Sequence, residues 1–357
     1  MTVLAIVACD IAPDPAEPLA GIALDVAFDT DTVIVLEESP EDSIAVPGIF
    51  QERAHGGFLL SDGQLPRVRS YDEHGRLEAA FGRFGVGPFE FQGIDGLAAT
   101  GSGRVAVLDS RQTRLTWLTG ELLADTTVSL PGIPWRAKAI GDDLPLDMRL
   151  GGVSGGADDL SRFHRRPLML HRLTENEVVW SSYTWPFLPA ERPYWNSIAR
   201  FSFDVAGDSI YMAFSLRYPV AILNATGDSI GEFGVPPPTF EPVPVFESGA
   251  FGPGGYGTQI PELLGGRSTI SHIAVVGSYL AVVHGRFRSP RSGAAFGAYH
   301  SSLDIYDRHT GRKLYEDVPL PENSQILGGG RHLYLLADTR FPPWRIVKLS
   351  LREGSPG

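Results

Sequence analysis

A unit of four short apolar runs recurs along this chain, and that repetition limits the fold more than any single motif does. The clearest copy spans residues 91–128. Its runs are Ile94–Ala99, Arg104–Asp109, Arg114–Leu118 and Leu122–Val128, each ended by a glycine turn or a polar loop. Apolar residues alternate or run together at strand length, the pattern of half-buried or buried sheet. Residues 48–83 follow the same plan, with runs at Ile49–Ala54, Gly57–Ser61, Val68–Tyr71 and Leu77–Phe81 and the turn DEHGR before the last. A third copy covers 198–234, with NATGD in that turn. A fourth runs from STISHIAVV to LYEDV, with DRHTGR there, and a weaker one covers about 135–186. The last, 324–351, stops one strand short.

Such a unit cannot bury both faces of its sheet alone, so neighbouring copies must cover one another. The missing strand has one evident source. Residues 32–37 form an orphan strand near the N-terminus. Set outermost in the last unit, it closes the ring and removes an open edge. The expectation is an all-β fold: a six-bladed β-propeller over residues 21–357, its last blade closed by the N-terminal strand. The chain carries 41 Gly and 28 Pro in 357 residues, which suits many turns and few helices. The segment DDLSRFHRR is at most a short turn, and the Pro/Gly-rich stretch 235–266 reads as an ordered insertion over one face.

The stretch FGRFGVGPFEF, residues 81–91, is glycine-rich, but no Gly-Lys-Ser/Thr follows and no helix starts after it, so it does not cradle phosphate. Residues 81–118 instead resemble the NHL repeat of six-bladed propellers. The resemblance rests on Gly85, Gly87, Pro88, Phe91, Asp109 and Arg114; Phe89 departs from the glycine common there. It implies a fold and no activity. Phe81, Phe84, Phe89 and Phe91 are then expected to wedge adjacent blades.

Residues 1–20 read as a truncated signal, a lipobox and a tether. Ile6-Val7-Ala8-Cys9 resembles a bacterial lipobox and DIAPDPAEP follows it, although only eight residues precede Cys9 and none is basic. The resemblance implies lipidation at Cys9 and a place in the bacterial envelope, periplasmic or at the outer surface. Cys9 is the one cysteine, so there is no internal disulfide. No run of 18 apolar residues exists to span a membrane as a helix.

The net charge of −12 disfavours nucleic acid as a partner. Lys138, Lys313 and Lys348 are the only lysines among 30 basic residues. Arginine excess suits carboxylate or phosphate recognition, and an arginine-biased codon usage would give the same counts. In this fold the loops between second and third strands share one face. Those loops hold Arg67, Arg111, Arg114, Arg162, Arg165, Arg166, Arg217, Arg286, Arg288, Arg291 and Arg340, with Phe163, Tyr218, Phe287 and Phe341 beside some of them. A cationic, aromatic face would take an acidic protein partner, an anionic small molecule or a glycan. Around the central channel the candidates are Arg53, His55, Asp95, Lys138, Arg200 and His272. Cations outnumber acids there, which speaks against a calcium site. None of the nine histidines has zinc spacing, and no catalytic residue, metal or cofactor is assigned. The leading expectation is an extracytoplasmic binding or scaffold propeller. The alternative is a lactonase- or lyase-like enzyme with a metal, calcium for example, in the channel.

Overall fold

The computed structural model describes residues 19–39, 42–130, 132–150, 168–172, 177–181, 201–243, 265–287 and 299–352. Two short elements open it, β1 (Leu19–Ala20) and α1 (Leu24–Ala27), followed by β2 (Phe28–Val35). The first full sheet is β3 (Pro47–Glu52), β4 (Phe58–Asp62), β5 (Val68–Tyr71) and β6 (Leu77–Phe81). The second is β7 (Gly96–Ala99), β8 (Val105–Asp109), β9 (Arg114–Leu118) and β10 (Ala124–Ser129). The third is β11 (Gly132–Ala137), β12 (Leu144–Leu150), β13 (Leu168–Arg172) and β14 (Glu177–Ser181). The fourth is β15 (Phe201–Ala206), β16 (Ser209–Phe214), β17 (Arg217–Asn224) and β18 (Ser229–Phe233). The fifth is β19 (Ser268–Val276), β20 (Tyr279–Phe287), β21 (Tyr299–Asp307) and β22 (Lys313–Pro319), with β1 parallel to β22 at its outer edge. The last is β23 (Gln325–Gly328), β24 (Leu333–Leu336) and β25 (Arg345–Leu351), with β2 antiparallel to β25 as its fourth strand.

Apart from β1 in the fifth and β2 in the last, each sheet is an antiparallel meander from its first strand outward. The first strands meet in sequence: β3 touches β7, β7 touches β11, β15 touches β19, β19 touches β23, and β23 touches β3. Arg136 of β11 reaches Ser202 of β15 at 3.2 Å. The apolar core follows this arrangement. It lies in the clefts between neighbouring sheets: Leu59, Val68 and Phe91 meet Leu97, Val107 and Leu118 between the first and second, and Phe50, Phe58 and Tyr71 meet Leu327, Tyr334 and Trp344 between the last and first. Each such side chain contributes about 1.5–3 kcal/mol by leaving water, so neither sheet of a pair holds its fold without the other.

Three readings of the sequence are corrected. The closing strand begins at Phe28, not at residue 32. Asp29, Thr30, Asp31 and Thr32 are exposed on both sides, so no alternation marks them, and pairing to β25 is made by backbone. Leu19 and Ala20, counted with the tether, form β1, and residues 1–18, Cys9 included, lie outside the described residues. Phe84 does not wedge sheets: it is 70% exposed, whereas Phe91 is fully buried. The segment DDLSRFHRR also lies outside the described residues. No helix among them is long and apolar enough to cross a membrane.

The corner after β6 shows what its motif residues do. Gly82 has φ +106, and a Cβ there would meet Pro66 O at 2.6 Å and the Phe91 ring at 3.0 Å. Only glycine fits both constraints. Arg114 donates to the carbonyls of Gly87 and Glu90. Asp109 accepts from the amides of Gln92 (2.7 Å), Arg111 (3.0 Å) and Gln112 (3.1 Å). These groups join one sheet to the next, and their bonds are spent inside the protein.

Candidate ligand cleft on the fifth sheet

The fifth sheet carries the one group of three potential metal-ligating side chains found among the described residues, His284, Asp304 and Asp317. β20 and β21 pair in unbroken register from Tyr279 opposite Asp307 to Phe287 opposite Tyr299. His284 faces Ser302 and Val282 faces Asp304 in that ladder, so His284 and Asp304 are diagonal neighbours on one face. Between β21 and β22 the register shifts, with Leu303 opposite Val318 and Ile305 opposite Tyr315. The bulge falls beside Asp304 and re-aims Asp317, whose φ is +54. Nε2 of His284 lies 3.3 Å from Asp304 Oδ1 and 3.6 Å from Asp317 Oδ1.

Asp304 is fully buried. An unpaired carboxylate there would cost several kcal/mol. It is held on every side. Oδ1 accepts the Asp317 amide at 3.0 Å, and Oδ2 accepts the Tyr218 hydroxyl at 2.9 Å with Lys313 Nζ at 3.2 Å. Burial works to raise its pKa, but the His284 hydrogen bond and charge, Lys313 and the Asp317 amide outweigh it, so the carboxyl sits below its ordinary range. Burial, then the Asp304 charge, push the Tyr218 phenol far up, so it stays a donor. Lys313 also pairs with Glu316 at 2.7 Å.

A cleft of about 510 Å³ opens beside this group, with Ser268, His284, Arg286, Ser302 and Asp317 in its walls. Residues 237–241 lie across one side. Phe240 packs edge-on against Tyr218 and His284, with ring centres 5.3 and 6.0 Å away. The Thr239 hydroxyl donates to Asp317 Oδ2, and the Arg286 guanidinium donates to Thr239 O. Glu241 and Ser268 exchange bonds, N to Oγ at 3.0 Å and O from N at 2.7 Å. At the rim, Arg286 and Arg267 both flank Glu241, at 4.0 and 3.8 Å. Two half-exposed guanidiniums thus share one carboxylate.

The sequence-derived arginines scatter. Arg67 pairs with Asp42 at 3.1 Å and Arg340 with Asp338 at 2.9 Å. Arg111 is exposed. Among those whose side chains are described, Arg286 lines the cleft. Arg217 lies in β17, and only its backbone is described; Arg162, Arg165, Arg166, Arg288 and Arg291 lie outside the described residues. The channel candidates divide as well. Arg53 turns outward along its sheet to Ser70 (2.7 Å) and Glu78 (3.0 Å), and His55 is exposed in the turn after β3. Asp95 accepts the Ser110 amide at 2.9 Å. Lys138 and His272 do come together: Lys138 pairs with Asp204 at 3.0 Å, and burial, then Arg136 and Lys138, push the His272 imidazole down to about 3. Arg200 lies outside the described residues. Ser202 and Asp204 accept the Ile273 and Val275 amides, which joins the fourth and fifth sheets. The His284 group was not singled out from sequence. Its one signal is an imidazole inside the apolar run LAVVHG.

No family model matches the chain, and no curated protein matches it. Solved structures do. A member of the DUF4221 family from Bacteroides vulgatus aligns at TM-score 0.66 and 10% identity, covering 92% of this chain and 98% of that one. The chain is an all-β propeller. A Bacteroides fragilis protein named as a candidate for export aligns at TM-score 0.63 and 10% identity, covering 94% of this propeller and 98% of that chain. Virginiamycin B lyase from Staphylococcus aureus aligns at TM-score 0.49 and 10% identity over 91% of it. At these identities the likeness is one of fold.

Proposed function

We propose that this chain is a non-catalytic binding protein of the bacterial cell envelope. It is a six-bladed propeller of the NHL-repeat type, closed by β2 and tethered through a lipid on Cys9. It captures a carboxylate-bearing ligand or acidic partner surface at the end where the second-to-third-strand loops gather. The six-bladed reading rests on the six sheets and on their first strands meeting in turn, with β23 against β3. Export is supported by the lipobox-like residues and by the name of the Bacteroides fragilis fold relative.

The observation that carries the binding reading is the rim of the cleft. Arg267 and Arg286 share Glu241, which leaves one positive charge in excess on that side of the opening, across from Glu316 and Asp317 in its walls. An exposed ion pair is worth about 0–1 kcal/mol, so a ligand carboxylate can take the place of Glu241. The guanidinium fork then binds it through two parallel bonds. Titration of the protein with fluorescein-labelled oligoglutamate, followed by anisotropy, tests this. The double variant Arg267→Ala/Arg286→Ala should bind about tenfold more weakly, a change of about 1.4 kcal/mol. Glu241→Gln should bind more tightly, because the internal competitor is gone. Equal affinity in all three proteins rejects the assignment.

A further inference from the structure

We propose that Nε2 of His284 and one carboxylate oxygen each of Asp304 and Asp317 form the ligand set of a four-coordinate first-row divalent cation, of the zinc class, whose fourth position faces the cleft. This goes beyond the anionic-ligand reading and does not depend on it.

Three observations carry it. The first is spacing. Charge-assisted N–H···O bonds run at about 2.7–2.9 Å, and both His284–carboxylate distances, 3.3 and 3.6 Å, are longer than that. One ring N–H shared between two carboxylates makes only a three-centre bond, weaker to each oxygen than a direct one. Tetrahedral metal–N and metal–O bonds of about 2.0–2.2 Å set ligand-to-ligand edges of about 3.3–3.6 Å. All three ligand atoms lie within 4.8 Å of one another.

The second is orientation. Each carboxylate spends its far oxygen on the protein. Oδ2 of Asp304 holds the Tyr218 hydroxyl and Lys313, and Oδ2 of Asp317 holds the Thr239 hydroxyl. The Oδ1 atoms are left turned toward His284. Oδ1 of Asp304 also accepts the Asp317 amide, which uses one of its lone pairs and leaves another. Outer bonds of this kind fix metal ligands in place.

The third is charge. Asp304, Asp317 and Glu316 bring three negative charges around Lys313, whose ammonium lies 3.2 Å from Asp304 and 2.7 Å from Glu316. A divalent cation with a neutral imidazole balances them. One nitrogen with two oxygens is a borderline set that suits zinc or cobalt, while calcium wants six or more oxygens.

The test is Co²⁺ titration of the full chain carrying Cys9→Ser, which removes the only thiol, followed by competition with Zn²⁺. One equivalent should enter with the strong visible absorption of four-coordinate Co²⁺, and Zn²⁺ should bleach it. Asp317→Asn keeps the side chain's size and tolerates the positive φ, so it should fold with an unchanged far-UV spectrum and bind at least tenfold more weakly. Tyr218→Phe, which touches no metal, should weaken uptake about 10–100-fold. The inference is overturned by no uptake, by the weak absorption of six-coordinate Co²⁺, or by full affinity in Asp317→Asn. No oligoglutamate is present, so this result and the anionic-ligand result are read separately.

Discussion

At the scale of single residues, buried charge decides most of what is distinctive here. Asp304 has five partners: His284, Tyr306, Lys313 and Asp317 from β20, β21 and β22, and Tyr218 from the preceding sheet. Asp304→Asn should cost about 3 kcal/mol in urea unfolding, because it removes the charge that the Tyr218 hydroxyl, the Asp317 amide and Lys313 all face, although Lys313 keeps Glu316. Tyr218→Phe should cost less, about 1.5–3 kcal/mol for one hydrogen bond to a charged group. His272 gives a pH dependence. Its folded pKa is pushed down to about 3 from an ordinary 6.5, so as pH falls the unfolded chain takes the proton first. Its contribution is complete above about pH 6.5 and declines from there toward pH 3. His272→Gln should therefore show a shallower loss of stability between pH 7 and pH 4 than the parent, whatever its absolute stability. Parallel pH profiles would reject the assignment. Of this residue chemistry the sequence displayed little. His284 stood out only as a polar residue in an apolar run, and Asp317 owes its position to a bulge that no spacing reveals.

At the scale of elements, the repeat was legible because each strand repeats one physical demand, apolar residues on a sheet covered from both sides. The runs read at 48–83 and 94–128 fall within a few residues of β3–β10. The closing strand was harder to bound, since only Phe28 and Ile34 of β2 are buried. That pattern makes a prediction. Ile34→Ala should lose about 2–5 kcal/mol, the usual cost of emptying a buried aliphatic site. Val33→Thr, whose parent side chain is half exposed, should stay within about 0.5 kcal/mol of the parent. A large loss at Val33 with none at Ile34 would mean that the opposite face of β2 is the one packed on the neighbouring sheet. The outer turn at Gly75 supports the present register: its carbonyl accepts the Glu37 amide at 2.8 Å, just past the end of β2.

At the scale of the whole molecule, the first strands set a ring and the chemistry sits off its axis. The lactonase- or lyase-like reading needs oxygen ligands around the channel. Among the described residues the channel strands bring Arg136, Lys138, Ser202, Asp204 and His272 together, and the one group of three metal-ligating side chains lies further out, on β20, β21 and β22. The fold was readable in the sequence because it is built from local repeats. The site was not, because it joins strands of the fifth sheet to Tyr218 of the fourth and to the 237–241 crossing. Fold likeness at 10% identity carries no ligand with it. The proposed binding places the ligand at the cleft of the fifth sheet. Hydrogen exchange with and without oligoglutamate measures that directly. Binding there slows exchange in 237–241 and 284–287 and leaves the strands around the channel unchanged; slowed exchange confined to 132–138 and 201–204 places the ligand in the channel instead.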